Sequence, residues 1–287
     1  MSATIYDGTE CQLGEGPLWH PERQEFFWFD IGAHRLYARA GDDRRMWQFD
    51  GHVSAAGWID RDRLLVAHER ALLVFDIETG ESEHLCDLEA DNPGTRSNDG
   101  RADPWGGFWI GTMSKTLERG AGSFYRYYKG ELRQLYTGIT VTNAQCFSPD
   151  GRYAYFADTP TGKVMRQRLD DINGWPKGPP ELFLDLPADQ FRPDGAVIDA
   201  EGNFWCAHYG HGKVTCHSAK GELMQTHPIP ARQSTCPAFV GPNLDRMLVT
   251  SAWQNLSDDQ RAADRAAGKT FEIAPGVTGQ AEHRVEL

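Results

Sequence analysis

One unit recurs six times along this chain, and that periodicity restricts its fold more than any other feature. Short runs rich in aromatic and branched residues appear as FFWF (26–29), LLV (64–66), FWIG (108–111), YAYF (153–156), NFWCA (203–207) and MLV (247–249). Each follows a polar turn: HPERQE, DRDR, DPWGG, SPDGR, DAEG and GPNLD. The turns begin at 20, 60, 103, 148, 199 and 241, so the spacings are 40, 43, 45, 51 and 42 residues. A second strand-like run comes after most of them: RLYA, LLVFDI, GSFYRYY, GKVMRQRL and GKVTCHS. Strand, turn, strand and loop at a period of roughly 40–50 residues mark a four-stranded propeller blade. Six such blades use nearly all of the 287 residues. The spacing therefore predicts an all-β chain, a single six-bladed β-propeller over residues 1–287. ATIYD at the start and HRVEL at the finish also read as strands. Pairing them within one blade closes the ring and removes an exposed edge. One helix is expected in SDDQRAADRAAG, an insertion in the last blade, with Ser257 and Gln260 as a capping box and Gly268 as the stop.

Composition narrows the partners. With 29 Lys and Arg against 41 Asp and Glu, the net charge is −12, which disfavours nucleic acid and anionic lipid as ligands. No apolar run approaches the roughly 20 residues that span a bilayer. The N-terminal MSATIYDGTE has no basic-then-apolar signal. The six cysteines (11, 86, 146, 206, 216 and 236) have no metal-finger spacing, and several lie in strand-like runs as small buried hydrophobes. A cytoplasmic setting is the expectation. Oligomeric state is not legible.

Counting back five residues from each turn start gives Glu15, Ala55, Asn98, Asn143, Asp194 and Cys236. In a propeller the first strand of each blade lines the axis, so equivalent positions face one another. Four of these six carry side-chain oxygens. Two carboxylates that converge repel each other, and a divalent cation removes that cost. Glu15, Asp194 and the Asn143 carbonyl form an all-oxygen set suited to hard ions such as Ca²⁺, Mg²⁺ or Mn²⁺. Three protein ligands leave coordination places open, which is a catalytic arrangement. Trp28, Trp109 and Trp205 read as packing between blades, and Trp19 as nearer the mouth. His208 and His211 read as structural or rim residues. HExxH, GxSxG and phosphate-loop motifs do not occur.

The runs LGEGPLW (13–19), RSNDGRADPWGGFWIGTM (96–113), TNAQCFSPDGRYAYFADT (142–159) and RPDGAVIDAEGNFWCAHYG (192–210) resemble the SMP-30/gluconolactonase/LRE family, in the right order and over about the whole chain. The resemblance implies a six-bladed propeller with one catalytic divalent metal that hydrolyses sugar lactones. It implies Glu15, Asn143 and Asp194 as metal ligands, Asp194 also as the catalytic acid/base, and Arg96 and Asn98 as substrate contacts. The ion is expected to be Ca²⁺, with Zn²⁺, Mn²⁺, Mg²⁺ or Fe²⁺ as alternatives. Two departures stand out. The family commonly has Asn-Gly where this chain has Asn143-Ala144. Some members place a substrate-binding carboxylate shortly after GTM, where SKTLERG offers Glu118 alone as the candidate substrate contact. The rival readings are a phosphotriesterase-like hydrolase and a non-enzymatic calcium-binding or regulatory propeller.

Overall fold

The computed structural model describes residues 3–187 and 189–287. It consists of six four-stranded antiparallel sheets, the blades of a six-bladed β-propeller. Their innermost strands are Gly14–His20, Val53–Trp58, Thr95–Ala102, Thr142–Phe147, Pro193–Ile198 and Ser234–Val240. Every inner strand is almost wholly buried, because it faces the axis on one side and its own blade on the other. The outermost strands alternate instead. Asp43–Gln48 and Leu223–Pro228 both show exposed residues at every second position over most of their length, as half-solvated strands do.

The polar turns expected at blade ends are built by side chains that bond the backbone just ahead of them. Asp103 Oδ1 accepts from the amides of Trp105 (2.9 Å) and Gly107 (3.0 Å). Asp199 Oδ1 accepts from Glu201 and Asn203, both at 2.9 Å. Trp28, Trp109 and Trp205 are fully buried, as the packing role requires. Trp19 differs from expectation. It pairs across the sheet with Phe26, near the turn end of its strand, and packs against the cluster around Cys11, Phe26 and Trp28, far along the strand from Glu15. All six cysteines are free, and five are buried.

The ring closes through the N-terminal strand, as expected, but with a different partner. Thr4–Asp7 pairs with Thr270–Ile273 as the fourth strand of the last blade. HRVEL is no strand. The chain from Gly279 onward crosses the end of the propeller where the polar turns lie: Gly279 N bonds Leu244 O, Val285 N bonds Trp58 O, and Glu286 N bonds Gly106 O, each at 2.8 Å. Thr270–Ile273 takes the place beside the N-terminal strand that HRVEL was expected to fill. The insertion helix is Asp258–Ala263, with the Ser257/Gln260 capping box in place. It stops earlier than Gly268, at Asp264, whose carboxylate is drawn off to the Arg232 amide at 2.7 Å.

Candidate active site

The same closing hydrogen bond recurs at the other end of each blade. Ile31 N donates to Leu13 O, Glu69 N to His52 O, Lys115 N to Gly94 O, Thr159 N to Val141 O, Tyr209 N to Arg192 O, and Ala252 N to Gln233 O. These six acceptors are equivalent. Two residues beyond each stand Glu15, Ser54, Arg96, Asn143, Asp194 and Thr235. Every member of this ring is polar.

That register corrects the count made from the turns. Ala55, Asn98 and Cys236 are displaced by one or two positions, whereas Glu15, Asn143 and Asp194 hold. The turns begin 5, 6, 7, 5, 5 and 6 residues beyond the ring positions, so a fixed count from the turns slips in the second, third and sixth blades. Every inner strand also carries one β-bulge, between Glu15 and Leu18, Val53 and Ala55, Ser97 and Gly100, Asn143 and Cys146, Pro193 and Ala196, and Ser234 and Pro237. Bulges re-aim side chains. In blades 1 and 4 the residue after the ring position is left-handed: Gly16 at φ 53 and Ala144 at φ 63. A Cβ on Gly16 would lie 2.2 Å from Ser54 O, so glycine is required there.

Glu15, Asn143 and Asp194 line one cavity of about 380 Å³, together with Arg96 and Asn98. Its rim includes Leu13, Leu117, Val141, Pro160, Tyr209 and Arg192. Glu118 stays outside this wall. Its loop turns at Leu117 (φ 60), which directs Leu117 to the rim and leaves Glu118 exposed. The other two ring members are spent on packing between blades. Ser54 Oγ donates to Ser97 Oγ at 2.8 Å, and Thr235 Oγ1 to Gly14 O at 2.5 Å.

Electrostatics single out the two carboxylates. Both are buried, and neither is in an ion pair among the described residues. Burial pushes Glu15 up to about 8, and the charge of Asp99 adds to the rise. Burial, then the charges of Glu15 and Asp99, hold Asp194 well above the usual carboxylate range. Arg96 faces the same space, and burial lowers it to about 10. Its Nη1 donates to Ser97 O (2.7 Å) and Asn98 Oδ1 (2.8 Å), while Asn98 Nδ2 donates to Thr142 O at 2.8 Å.

The amide of Asn143 is held at its nitrogen. Nδ2 donates to Thr159 Oγ1 at 2.8 Å, and that hydroxyl donates to Pro193 O at 2.7 Å. The oxygen of Asn143 faces the cavity side, where it accepts a hydrogen bond from Asn98 Nδ2 at 3.3 Å and keeps a second lone pair. Two buried, mutually repelling carboxylates and an oriented amide oxygen fit a hard divalent cation. No group of three or more His, Cys, Asp and Glu side chains arranged for a metal occurs among the described residues, so the donor set here depends on the amide. His208 lies behind the wall. Its Nε2 is 2.7 Å from Thr215 Oγ1, its ring packs on Phe191, and burial lowers it to about 3. Sequence reasoning missed Thr159 and Arg192; the recurring closing register would have pointed to Arg192, which stands two residues before Asp194.

Fold and site together define a six-bladed propeller with oxygen donors gathered at the mouth of its axis. The chain belongs to the family described as SMP-30/gluconolactonase/LRE-like, whose model matches residues 13–253. A Rhizobium meliloti (strain 1021) protein provisionally named a sugar lactone lactonase is 42% identical, covering 96% of this chain and 94% of its own. The 6-deoxy-6-sulfogluconolactonase of Pseudomonas putida is 32% identical, with 94% of each chain covered. The crystal structure of a calcium-binding protein, regucalcin, from Agrobacterium tumefaciens superposes with a TM-score of 0.96 at 38% identity, covering 100% of this chain and 98% of that one. Lactone hydrolysis is thus the activity that the names of its relatives point to. Among the described residues no helix is long and apolar enough to cross a membrane.

Proposed function

We propose that this protein hydrolyses a sugar lactone, an aldonolactone or aldarolactone, to the free sugar acid with the help of one divalent metal ion. The observation that carries the proposal is the meeting of Glu15, Asn143 and Asp194 in one cavity, with two buried carboxylates lacking a cation partner. Glu15, Asn143 and Asp194 would hold the ion. Ca²⁺ suits this oxygen set best, and the structural relative described as calcium-binding supports that choice. Zn²⁺, Mn²⁺, Mg²⁺ and Fe²⁺ are the alternatives. When bound, the ion neutralises the carboxylates and polarises an ester carbonyl.

The remaining chemistry is that of the chain. Asp194 takes a proton from the attacking water as the new bond to the carbonyl carbon forms. It returns that proton to the ring oxygen as the ester bond breaks. Arg96 and Asn98, both buried at the cavity wall, hold substrate hydroxyls or a carboxylate. Tyr209, half-buried on the rim, restricts water.

The test is acid release from a panel of lactones by chelated protein, with each metal restored in turn. Activity should return with at least one divalent ion. Asp194→Asn should lower kcat by about 10²–10⁴-fold, the usual contribution of a positioned acid/base. Near-normal turnover by a folded Asp194→Asn protein would contradict the assigned role. Hydrolysis of an organophosphate but of no lactone would support the phosphotriesterase reading instead. Metal binding with neither activity would support the regulatory propeller.

A further inference from the structure

Arg192 is a charged side chain of the cavity wall that the reaction leaves without a task. It belongs to the tier of closing acceptors: Leu13, His52, Gly94, Val141, Arg192 and Gln233. Three of these, Leu13, Val141 and Arg192, line the cavity, each two residues ahead of Glu15, Asn143 or Asp194. In extended chain, residues two apart point the same way. This tier therefore stands above the three oxygen donors, toward the mouth. Two of its cavity-lining members are apolar, and Arg192 is the only Lys or Arg in it.

Arg192 is exposed, and its guanidinium has no hydrogen-bond or ion-pair partner among the described residues; only its carbonyl is engaged, by Tyr209 N at 3.1 Å. The other arginine of the wall differs. Arg96 is buried, and its Nη1 is already shared between Ser97 O and Asn98 Oδ1. The charged side chains lining the cavity are Glu15, Asp194, Arg96 and Arg192, so with a divalent cation held by the two ionised carboxylates the wall carries a surplus of positive charge. An anionic ligand is then attracted, and a free planar guanidinium matches a carboxylate in two parallel hydrogen bonds.

We infer that Arg192 reads a carboxylate at the end of the substrate remote from the lactone carbonyl. The preferred substrate class is then the monolactone of a dicarboxylic sugar acid. This rests on the lactonase reading above. The reacting carbonyl lies low, beside Asp194, while the distal carboxylate reaches the mouth between the apolar side chains of Leu13 and Val141.

Two probes of equal ring size separate the ideas: D-glucaro-1,4-lactone, which carries the distal carboxylate, and D-glucono-1,4-lactone, which carries a hydroxymethyl group there. The unsubstituted protein should favour the first in kcat/KM by about 10-fold or more, the scale of a charge-assisted pair. Arg192→Gln should bring the ratio close to one, chiefly through KM, and Arg192→Lys should keep part of it. Raised salt should shrink the preference in the unsubstituted protein. Equal use of both lactones, or a preference that Arg192→Gln leaves intact, overturns the inference and leaves the lactonase reading standing. If neither lactone nor any other of the panel is opened with metals restored, that reading falls and takes the inference with it.

Discussion

The Thr159 hydroxyl stands between two blades that supply one site. It accepts from Asn143 Nδ2 in blade 4 and donates to Pro193 O, the residue before Asp194, in blade 5. An amide can turn either end to a cation, and only its oxygen binds one. The hydroxyl fixes that choice, because a hydrogen bond to the nitrogen leaves the oxygen for the cavity. Thr159→Val keeps the shape and removes the bond. Partners of this kind typically matter about 10–100-fold in metal affinity. Calorimetric or electron-paramagnetic titration of chelated protein with Mn²⁺ should therefore give a dissociation constant raised at least 10-fold for Thr159→Val. Thr159→Ser should stay close to the unsubstituted protein. Equal affinity for Mn²⁺ in the Val variant would make Thr159 merely a packing residue. This device was not legible beforehand. Thr159 lies beyond the YAYF strand, and nothing in the linear order shows that its hydroxyl meets Pro193.

At the scale of the strand, the distance from ring position to turn decides what could be read and what could not. Alternation, aromatic runs and Asp-led turns mark the strands and their ends, so the blades could be located from sequence. Glu15, Asn143 and Asp194 were also found, because in those three blades the turn and the closing bond lie the same number of residues from the donor. In the other blades the turn begins six or seven residues beyond the ring position, and Arg96 takes the ring position that Asn98 was given. Glu118 lies outside the cavity lining, because loop direction depends on the positive φ of Leu117 rather than on spacing. The bulge also leaves a cost at Ala144, held at φ 63 and completely buried. The left-handed region costs a non-glycine residue about 1–2 kcal/mol, and glycine loses about 0.5–1 kcal/mol more chain entropy on folding. Relief should outweigh entropy, so Ala144→Gly is expected to stabilise the protein by about 0.5–1 kcal/mol. Urea unfolding at fixed metal concentration measures it; a midpoint lowered by the substitution would mean that the Ala144 methyl packs well enough to offset its strain.

The whole molecule faces the problem of any ring: its blades share no hydrogen bonds along their sheets, so something must hold the circle. One clasp is the N-terminal strand in the last blade. The chain's last residues make a second, reaching five blades in turn. Gly279 N bonds Leu244 O of blade 6, and Gln280 Nε2 donates to Ile198 O of blade 5 and Phe147 O of blade 4. Glu282 pairs with Arg101 of blade 3, both largely buried, and Val285, itself buried, bonds Trp58 O of blade 2. The tail leaves a cavity of only about 30 Å³ beneath it, lined in part by Arg101 and Gln280, room for about one water. It therefore crosses the propeller at the end opposite the candidate active site. Losing the buried valine costs about 1.5–3 kcal/mol, and each backbone bond adds about 1 kcal/mol. Removing residues 279–287 also takes away the carboxylate that pairs with Arg101 and uncovers the strand ends beneath the tail. The truncated protein should thus lose at least about 5 kcal/mol, and its Tm should fall by 10 °C or more at the usual 2–4 °C per kcal/mol for large domains. Glu282→Gln, which keeps the tail and removes one charge, should lie between the two in a calorimetric scan. A truncated protein that melts with the full chain would place the closure of the ring entirely in the N-terminal strand.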